Sequence, residues 1–282
     1  MTPVPVFLYH AVADDPPAWI APFTVGPAVF AEQLDRLEAG GRTVIPLARL
    51  VEAQQGGGAL PPRPAVLTFD DGFADFCRAV APELTERGLQ ATLYITTGAV
   101  LTSGTGSGES LLPPADMLTW GQIRTLDDSG VEIGGHSRTH PQLDTLPRRR
   151  LSNEIDGCRR MLEDELGHEV RTYAYPHGYS DSRVRRTVRR TGWSSACAVG
   201  NAFSSPEDDP FRISRLTVRA DTPIGVFQDW VGGRGARIAP FHERPRTTAW
   251  RLYRRARSRL GSPVGGPPSA PGRRHQEPGG PS

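Results

Sequence analysis

Short apolar runs alternate with longer amphipathic stretches along most of the chain. Val4 to Tyr9 reads as a strand ending at His10. Pro27 to Leu37 carries Val29, Phe30, Leu34 and Leu37 at helical spacing, with Pro27 placed to start the helix and Gly40-Gly41 to end it. Thr43 to Ile45 and Ala65 to Phe69 are further strands, separated by a helical Leu47 to Gln54. A helix from Ala74 ends at Gly88, and Ala91 to Ile95 is again a strand. Gly98 to Asp116, rich in Gly, Ser and Pro, reads as a long exposed loop. The alternation resumes with Trp120 to Leu126, Val131 to Ile133, Pro147 to Leu166, Thr172 to Tyr175 and Asp181 to Arg190. Ser195 to Val199 and Ile213 to Val218 are the last strand candidates, and Pro223 to Val231 closes the body as a helix. Strand and helix alternate about seven times, which predicts an α/β fold of parallel strands with crossover helices, as an open sheet or a barrel.

Composition modifies this picture mainly at the C-terminus. All 33 basic residues are Arg. From Phe241 to Ser282 nine Arg face two Glu, a net +7, so the body to Pro240 carries 2 − 7 = −5. A mildly acidic body disfavours nucleic acid as a partner. The expected division is therefore a domain over 1–240 and an Arg-rich, then Pro/Gly-rich, largely disordered tail over 241–282. Trp250 to Leu260 has the pattern of a basic helix suited to peripheral contact with an acidic membrane surface. The N-terminus has no basic region ahead of an apolar core, so the expected location is cytoplasmic, peripheral at the membrane. Cys77, Cys158 and Cys197 form no ligand-like cluster and read as buried free thiols.

The candidate chemistry sits just after strands. Asp70 and Asp71 end the apolar run Ala65 to Phe69, and two adjacent carboxylates there are costly unless a cation or a proton offsets one of them. His10, His136 and His177 also follow strands. In a parallel α/β fold such positions gather at the C-terminal ends of the strands. His136 and His140 are four apart, so one turn of helix would present both imidazoles to one metal. With Asp71 they make a His/His/Asp set that leaves coordination open, as a catalytic metal requires.

Thr68-Phe69-Asp70-Asp71-Gly72, followed by His136-Ser137-Arg138-Thr139-His140, resembles the first two motifs of the polysaccharide deacetylases (carbohydrate esterase family 4, the NodB homology domain). Tyr175-Pro176-His177-Gly178 stands where the third motif ends in Pro-aromatic-Gly. The resemblance covers Val4 to Gly232 and implies a distorted (β/α) barrel of about seven strands. It implies a divalent metal, most often Zn²⁺, on Asp71, His136 and His140, with Asp70 as general base. The backbone N–H of His177 would hold the oxyanion. Two positions depart from the family pattern. Ala174 stands where an Arg that orients the base is usual, and no histidine lies between Arg212 and Trp230, where the general acid is usual. His10, on Phe7-Leu8-Tyr9-His10, is assigned that acid role, as in deacetylases with a Tyr-His motif on the N-terminal strand. Tyr9, Tyr175 and Pro176 are expected to wall the substrate pocket.

The reading is thus a metal-dependent hydrolase that removes N-acetyl (or O-acetyl) groups from an acetylated glycan or glycoconjugate. Its rivals are a non-catalytic carbohydrate-binding protein on the same scaffold and an amidohydrolase of a small non-sugar amide.

Overall fold

The computed structural model describes residues 3–102, 105–106, 110–241, 249–250 and 253–257. Seven short strands form one curled parallel sheet: β1 (Val6–Tyr9), β2 (Pro64–Phe69), β3 (Thr92–Ile95), β4 (Glu132–Gly135), β5 (Thr172–Ala174), β6 (Ser195–Cys197) and β7 (Leu216–Thr217). Their order is β6-β5-β4-β3-β2-β1-β7, so the chain winds outward from β1 and returns to its other side only at the end. The two-residue strand Thr43–Val44 pairs alongside the start of β2. The helices are α1 (Pro27–Ala39), α2 (Leu47–Gln54), α3 (Ala81–Arg87), α4 (Trp120–Asp128), α5 (Arg148–Leu166), α6 (Ser182–Arg190) and α7 (Ile224–Val231).

Strand alternation divides the core into two layers. Val6, Val66, Tyr94, Ala174 and Cys197 fill the concave side together with Leu47, Leu50 and Val51 of α2. Phe7, Tyr9, Leu67, Phe69, Leu93, Ile133 and Tyr173 face the other way, into the cluster that includes Phe30 and Leu34 of α1, Ile155 of α5 and Phe227 of α7. The barrel is closed across β6 and β7 by a single bridge, Cys197 to Ile213. The residues from Ile213 to Thr217 therefore touch β6 at one end and β1 at the other. Helix α2 closes the end where the strands begin: its Leu47 N–H donates to Thr92 Oγ1 at 2.9 Å and its Ala48 N–H to Glu132 Oε2 at 3.0 Å.

The expected elements are present, with local differences. The helix expected from Ala74 begins instead as a wide π turn, Phe76–Val80, before α3. The loop Gly98 to Asp116 holds a 3₁₀ turn, Thr97–Ala99, and an antiparallel pair of Leu101–Thr102 with Thr105–Gly106. Met1–His242 forms one compact unit and Glu243–Ser282 a second. Within the second, residues 249–250 and 253–257 are helical; the Pro/Gly-rich stretch from Ser262 lies outside the described residues. No described helix is long and apolar enough to cross a membrane.

Candidate metal centre and its surroundings

Strand register assembles the site. Tyr9 lies level with Phe69, and the Asp70 N–H donates to the Tyr9 carbonyl at 3.0 Å, which brings His10 beside the Asp70-Asp71 pair. Ile95 lies level with Gly135, and the His136 N–H donates to the Ile95 carbonyl at 2.8 Å. β2 and β4 thus deliver Asp71 and His136 to the same end of the barrel, with β3 between them.

His136 and His140 do not lie on a helical turn, in contrast to the i, i+4 expectation. After Gly135 the chain runs as a loop in which Ser137 and His140 both have left-handed backbones, φ +67° and +63°. Two carbonyls from this loop are taken by the next strand's exit: Thr97 N–H donates to Ser137 and Gly98 N–H to Arg138. Glu154 of α5 fixes the loop further, accepting from the backbone N–H groups of Arg138 and Thr139 and from the Thr139 hydroxyl. Among the described residues six non-glycines have positive φ, and four of them (Asp71, Ser137, His140 and His177) lie in these motifs. Each costs on the order of 1 kcal/mol, and such strain concentrates where geometry serves chemistry.

The three residues converge. Asp71 Oδ1 lies 3.4 Å from His136 Nε2 and 3.2 Å from His140 Nε2, and one ligand atom from each residue falls within 4.8 Å of the others. Asp71 Oδ1 is buried and has no hydrogen-bond partner of acceptable geometry. The Nδ1 of His136 sits 2.9 Å from the Ala174 carbonyl, so it carries the proton and leaves the Nε2 lone pair facing Asp71. Burial pushes the His136 imidazole down to about 4, against the pull of Asp70 and Asp71, so it is neutral at pH 7. A buried carboxylate oxygen and two imidazole nitrogens aimed at one point fit a divalent ion such as Zn²⁺.

Asp70 has a different partner. Burial would raise its carboxyl, but Arg215 outweighs this and holds it below the ordinary value. The guanidinium is fully buried and bidentate: Nη1 donates to Oδ1 at 2.7 Å and Nη2 to Oδ2 at 2.8 Å. Nη1 also lies 3.1 Å from Thr68 Oγ1, and Nε donates to the Ala198 carbonyl at 3.1 Å. Arg215 comes from the residues that close the barrel, one before Leu216 of β7. The orienting Arg absent at Ala174 is therefore supplied from another strand, while the Ala174 carbonyl orients His136. Arg215 was visible in the sequence only as a lone charge inside the apolar run Ile213 to Val218.

His10 is half-buried, tilted against Phe23 with 5.1 Å between ring centroids. Burial lowers its pKa, opposed by the negative charges of Asp71 and Asp70. His177 has φ +58°, in the turn Pro176–Gly178, and its exposed ring stands edge-on to His140 at 4.6 Å. Gly178 completes that turn with φ +71°, where a Cβ would come within 2.7 Å of Val199.

Two expected pocket residues are not in the pocket. Tyr9 is fully buried in the outer core layer, stacked on Phe69, with its hydroxyl donating to Gln33 Oε1 at 2.8 Å. Tyr175 is likewise fully buried, its hydroxyl donating to the Phe211 carbonyl at 2.9 Å. Pro176 is buried in its turn. Adjacency to a motif residue misled here, because alternate residues of a strand point to opposite faces. The exposed ring beside the metal ligands is His177.

Comparison with known proteins agrees with this geometry. Residues 57–196 match the sequence model of the family described as polysaccharide deacetylase. The chain is 27% identical over 126 residues to chitin deacetylase 1 of Cryptococcus neoformans var. grubii, covering 45% of this chain and 23% of that protein. It is 30% identical over 123 residues to the poly-β-1,6-N-acetyl-D-glucosamine N-deacetylase of Escherichia coli K12, covering 40% and 18%. It spans half or less of the length of the curated relatives it matches. Among solved structures, the Streptococcus pyogenes deacetylase PplD in complex with acetate superposes with a TM-score of 0.72 at 19% identity, covering 83% of this chain and 100% of that one, a likeness of fold. Over residues 57–196 the chain carries the sequence pattern of the polysaccharide deacetylase family.

Proposed function

We propose that this chain is a divalent-metal-dependent deacetylase that hydrolyses N-acetyl groups on a polymer of N-acetylglucosamine, releasing acetate. The observation that carries the reading is the contrast within one carboxylate pair: Asp71 faces His136 and His140, and Asp70 is held by Arg215. The sequence relatives act, by name, on chitin and on poly-β-1,6-N-acetyl-D-glucosamine, which supports an N-acetyl rather than an O-acetyl substrate.

Asp71, His136 and His140 would hold the ion, most simply Zn²⁺ given two imidazoles and one carboxylate. When bound, the ion supplies Lewis acidity toward the acetyl carbonyl and makes a nearby water more acidic. Asp70 takes the proton of the attacking water as general base. Its two oxygens are fixed by the Arg215 fork, so their remaining lone pairs point in set directions. The His177 backbone N–H, in its left-handed turn, stabilises the negative charge that develops on the acetyl oxygen. His10, beside the pair, delivers a proton to the departing sugar nitrogen.

The missing Arg at Ala174 and the displaced acid would be the grounds for reading the chain as a non-catalytic binder. Arg215 removes the first of these grounds, and a buried, oriented base has no use in a binder. The test is acetate release from a panel of N-acetylated glycans by the metal-loaded chain, with and without chelator. Chelator-sensitive release is expected; no release across a broad panel would end the proposal.

A further inference from the structure

Two histidines of the site are oriented in different ways. The His136 ring is fixed by the hydrogen bond between its Nδ1 and the Ala174 carbonyl. His10 Nδ1 is buried too, but it has no hydrogen-bond partner among the described residues. The backbone around His10 is held on both sides. The Tyr9 carbonyl accepts from the Asp70 N–H at 3.0 Å, and the Val12 N–H donates to the Asp75 carboxylate. These bonds place the Cα of His10 and leave the rotation of its imidazole to side-chain packing.

That packing comes from Phe23. Just after His10 the chain forms a two-residue strand, Ala11–Val12, paired in parallel with Thr24–Val25. Ala11 lies level with Thr24 and Val12 with Val25, so one step back the same register sets Phe23 beside His10. The two rings meet with 5.1 Å between centroids and a tilt of 48°. Phe23 is half-buried and packs against the apolar cluster that includes Ala11, Ile20 and Phe73. The Arg219 guanidinium lies 4.6 Å from the centroid of the same ring, a cation–π contact. Arg219 is itself held: Nε donates to Asp221 Oδ1 at 3.2 Å, and its backbone N–H donates to Thr222 Oγ1 at 2.8 Å. The Ala220 N–H donates to the Pro22 carbonyl at 3.2 Å, which ties the turn after β7 to the residue before Phe23.

We propose that Phe23 is a positioning residue for His10: its ring, steadied by Arg219, holds the imidazole so that Nε2 is presented to the departing sugar nitrogen. This deepens the deacetylase reading and rests on it. With Nδ1 sealed, Nε2 is the nitrogen from which the proton leaves. Proton transfer requires reach and alignment, and a displacement of about 1 Å can cost about 10²-fold in rate. Loss of Phe23 therefore loosens the acid without removing it.

The test compares two substrates of the full chain loaded with Zn²⁺: an N-acetylglucosamine oligosaccharide, whose leaving amine needs a proton, and 4-nitrophenyl acetate, whose leaving phenolate does not. The readout is the ratio of glycan to ester turnover. Phe23→Leu should lower that ratio about tenfold through kcat, with KM for the glycan within about twofold of wild type. Phe23→Tyr, which keeps the ring, should retain most of it. Arg219→Gln, at an exposed position, should lower it about threefold, and it carries the test if Phe23→Leu does not fold. In a His10→Gln background Phe23→Leu should lower glycan turnover no further, since the ring acts through His10. Equal loss on both substrates, an unchanged ratio, or compounding losses in the double variant overturns the positioning role and leaves the deacetylase reading standing. Ester hydrolysis by the wild-type chain without acetate release from any glycan ends that reading, and the role of Phe23 with it.

Discussion

The two sides of the site are built differently. On the β2–β4 side every functional group is part of a compact motif: Asp71 ends one strand and His136 and His140 follow another, with backbones bent locally into left-handed turns. On the β6–β7 side there is no motif. Arg215 reaches Asp70 only because the barrel closes there, through one bridge at Ile213 and two residues of β7. The first side is specified by near neighbours in sequence, and the second by the completed fold. Adjacent carboxylates can both stay ionised when Arg215 neutralises Asp70 and a cation held by the β2–β4 side neutralises Asp71.

Removing Arg215 breaks this comparison most sharply. Arg215→Ala leaves the Asp70 carboxylate buried and unpaired, and should cost about 3–5 kcal/mol of stability in denaturant titration. Arg215→Lys keeps the charge but loses the fork, and should retain more stability than activity. Unchanged stability in Arg215→Ala would show that the β6–β7 side is dispensable. Asp70→Asn keeps the shape of the pair and removes the base; kcat should fall about 10³-fold while metal content stays the same. Wild-type turnover in that variant would remove Asp70 from the mechanism. His10→Gln should lower acetate release by about 10²-fold with the metal retained, and near-normal turnover would end its role as proton donor.

A smaller effect probes the support of Arg215. Asp208 accepts the Ser214 N–H at 2.9 Å, and burial pushes its carboxyl up to about 6 from an ordinary value of 3.8. The folded state therefore holds that proton more tightly than the unfolded one, so the penalty for ionising it is absent below about pH 4 and fully present above about pH 6. Asp208→Asn should remove a fall in stability on the order of 2 kcal/mol as pH rises through this window, read from denaturation midpoints at pH 4 and 7. An unchanged slope would mean that Asp208 does not titrate there.

The same division explains what the sequence revealed. The strand–helix alternation and the motifs after β2 and β4 were legible because period and spacing are local properties. The helical turn expected for His136 to His140 was replaced by a loop, since Gly135 ends the strand against Trp193 and Glu154 takes the N–H groups of Arg138 and Thr139. Tyr9 and Tyr175 were misplaced because motif adjacency does not say which face of a strand a side chain takes, and the outer core layer claims both. Arg215 was not identified because its partner lies 145 residues away and meets it only through barrel closure. A single charge inside an apolar strand is a usable signal for such a residue, since burial demands a partner.

The most direct test of the account is a titration of Zn²⁺ into metal-stripped protein, with acetate release from an N-acetylglucosamine oligosaccharide followed at each addition. If Asp71, His136 and His140 form the working centre, release rises in proportion to added ion and levels off at one equivalent per chain. Release that is already complete without added ion, or that never appears with the site filled, would contradict it.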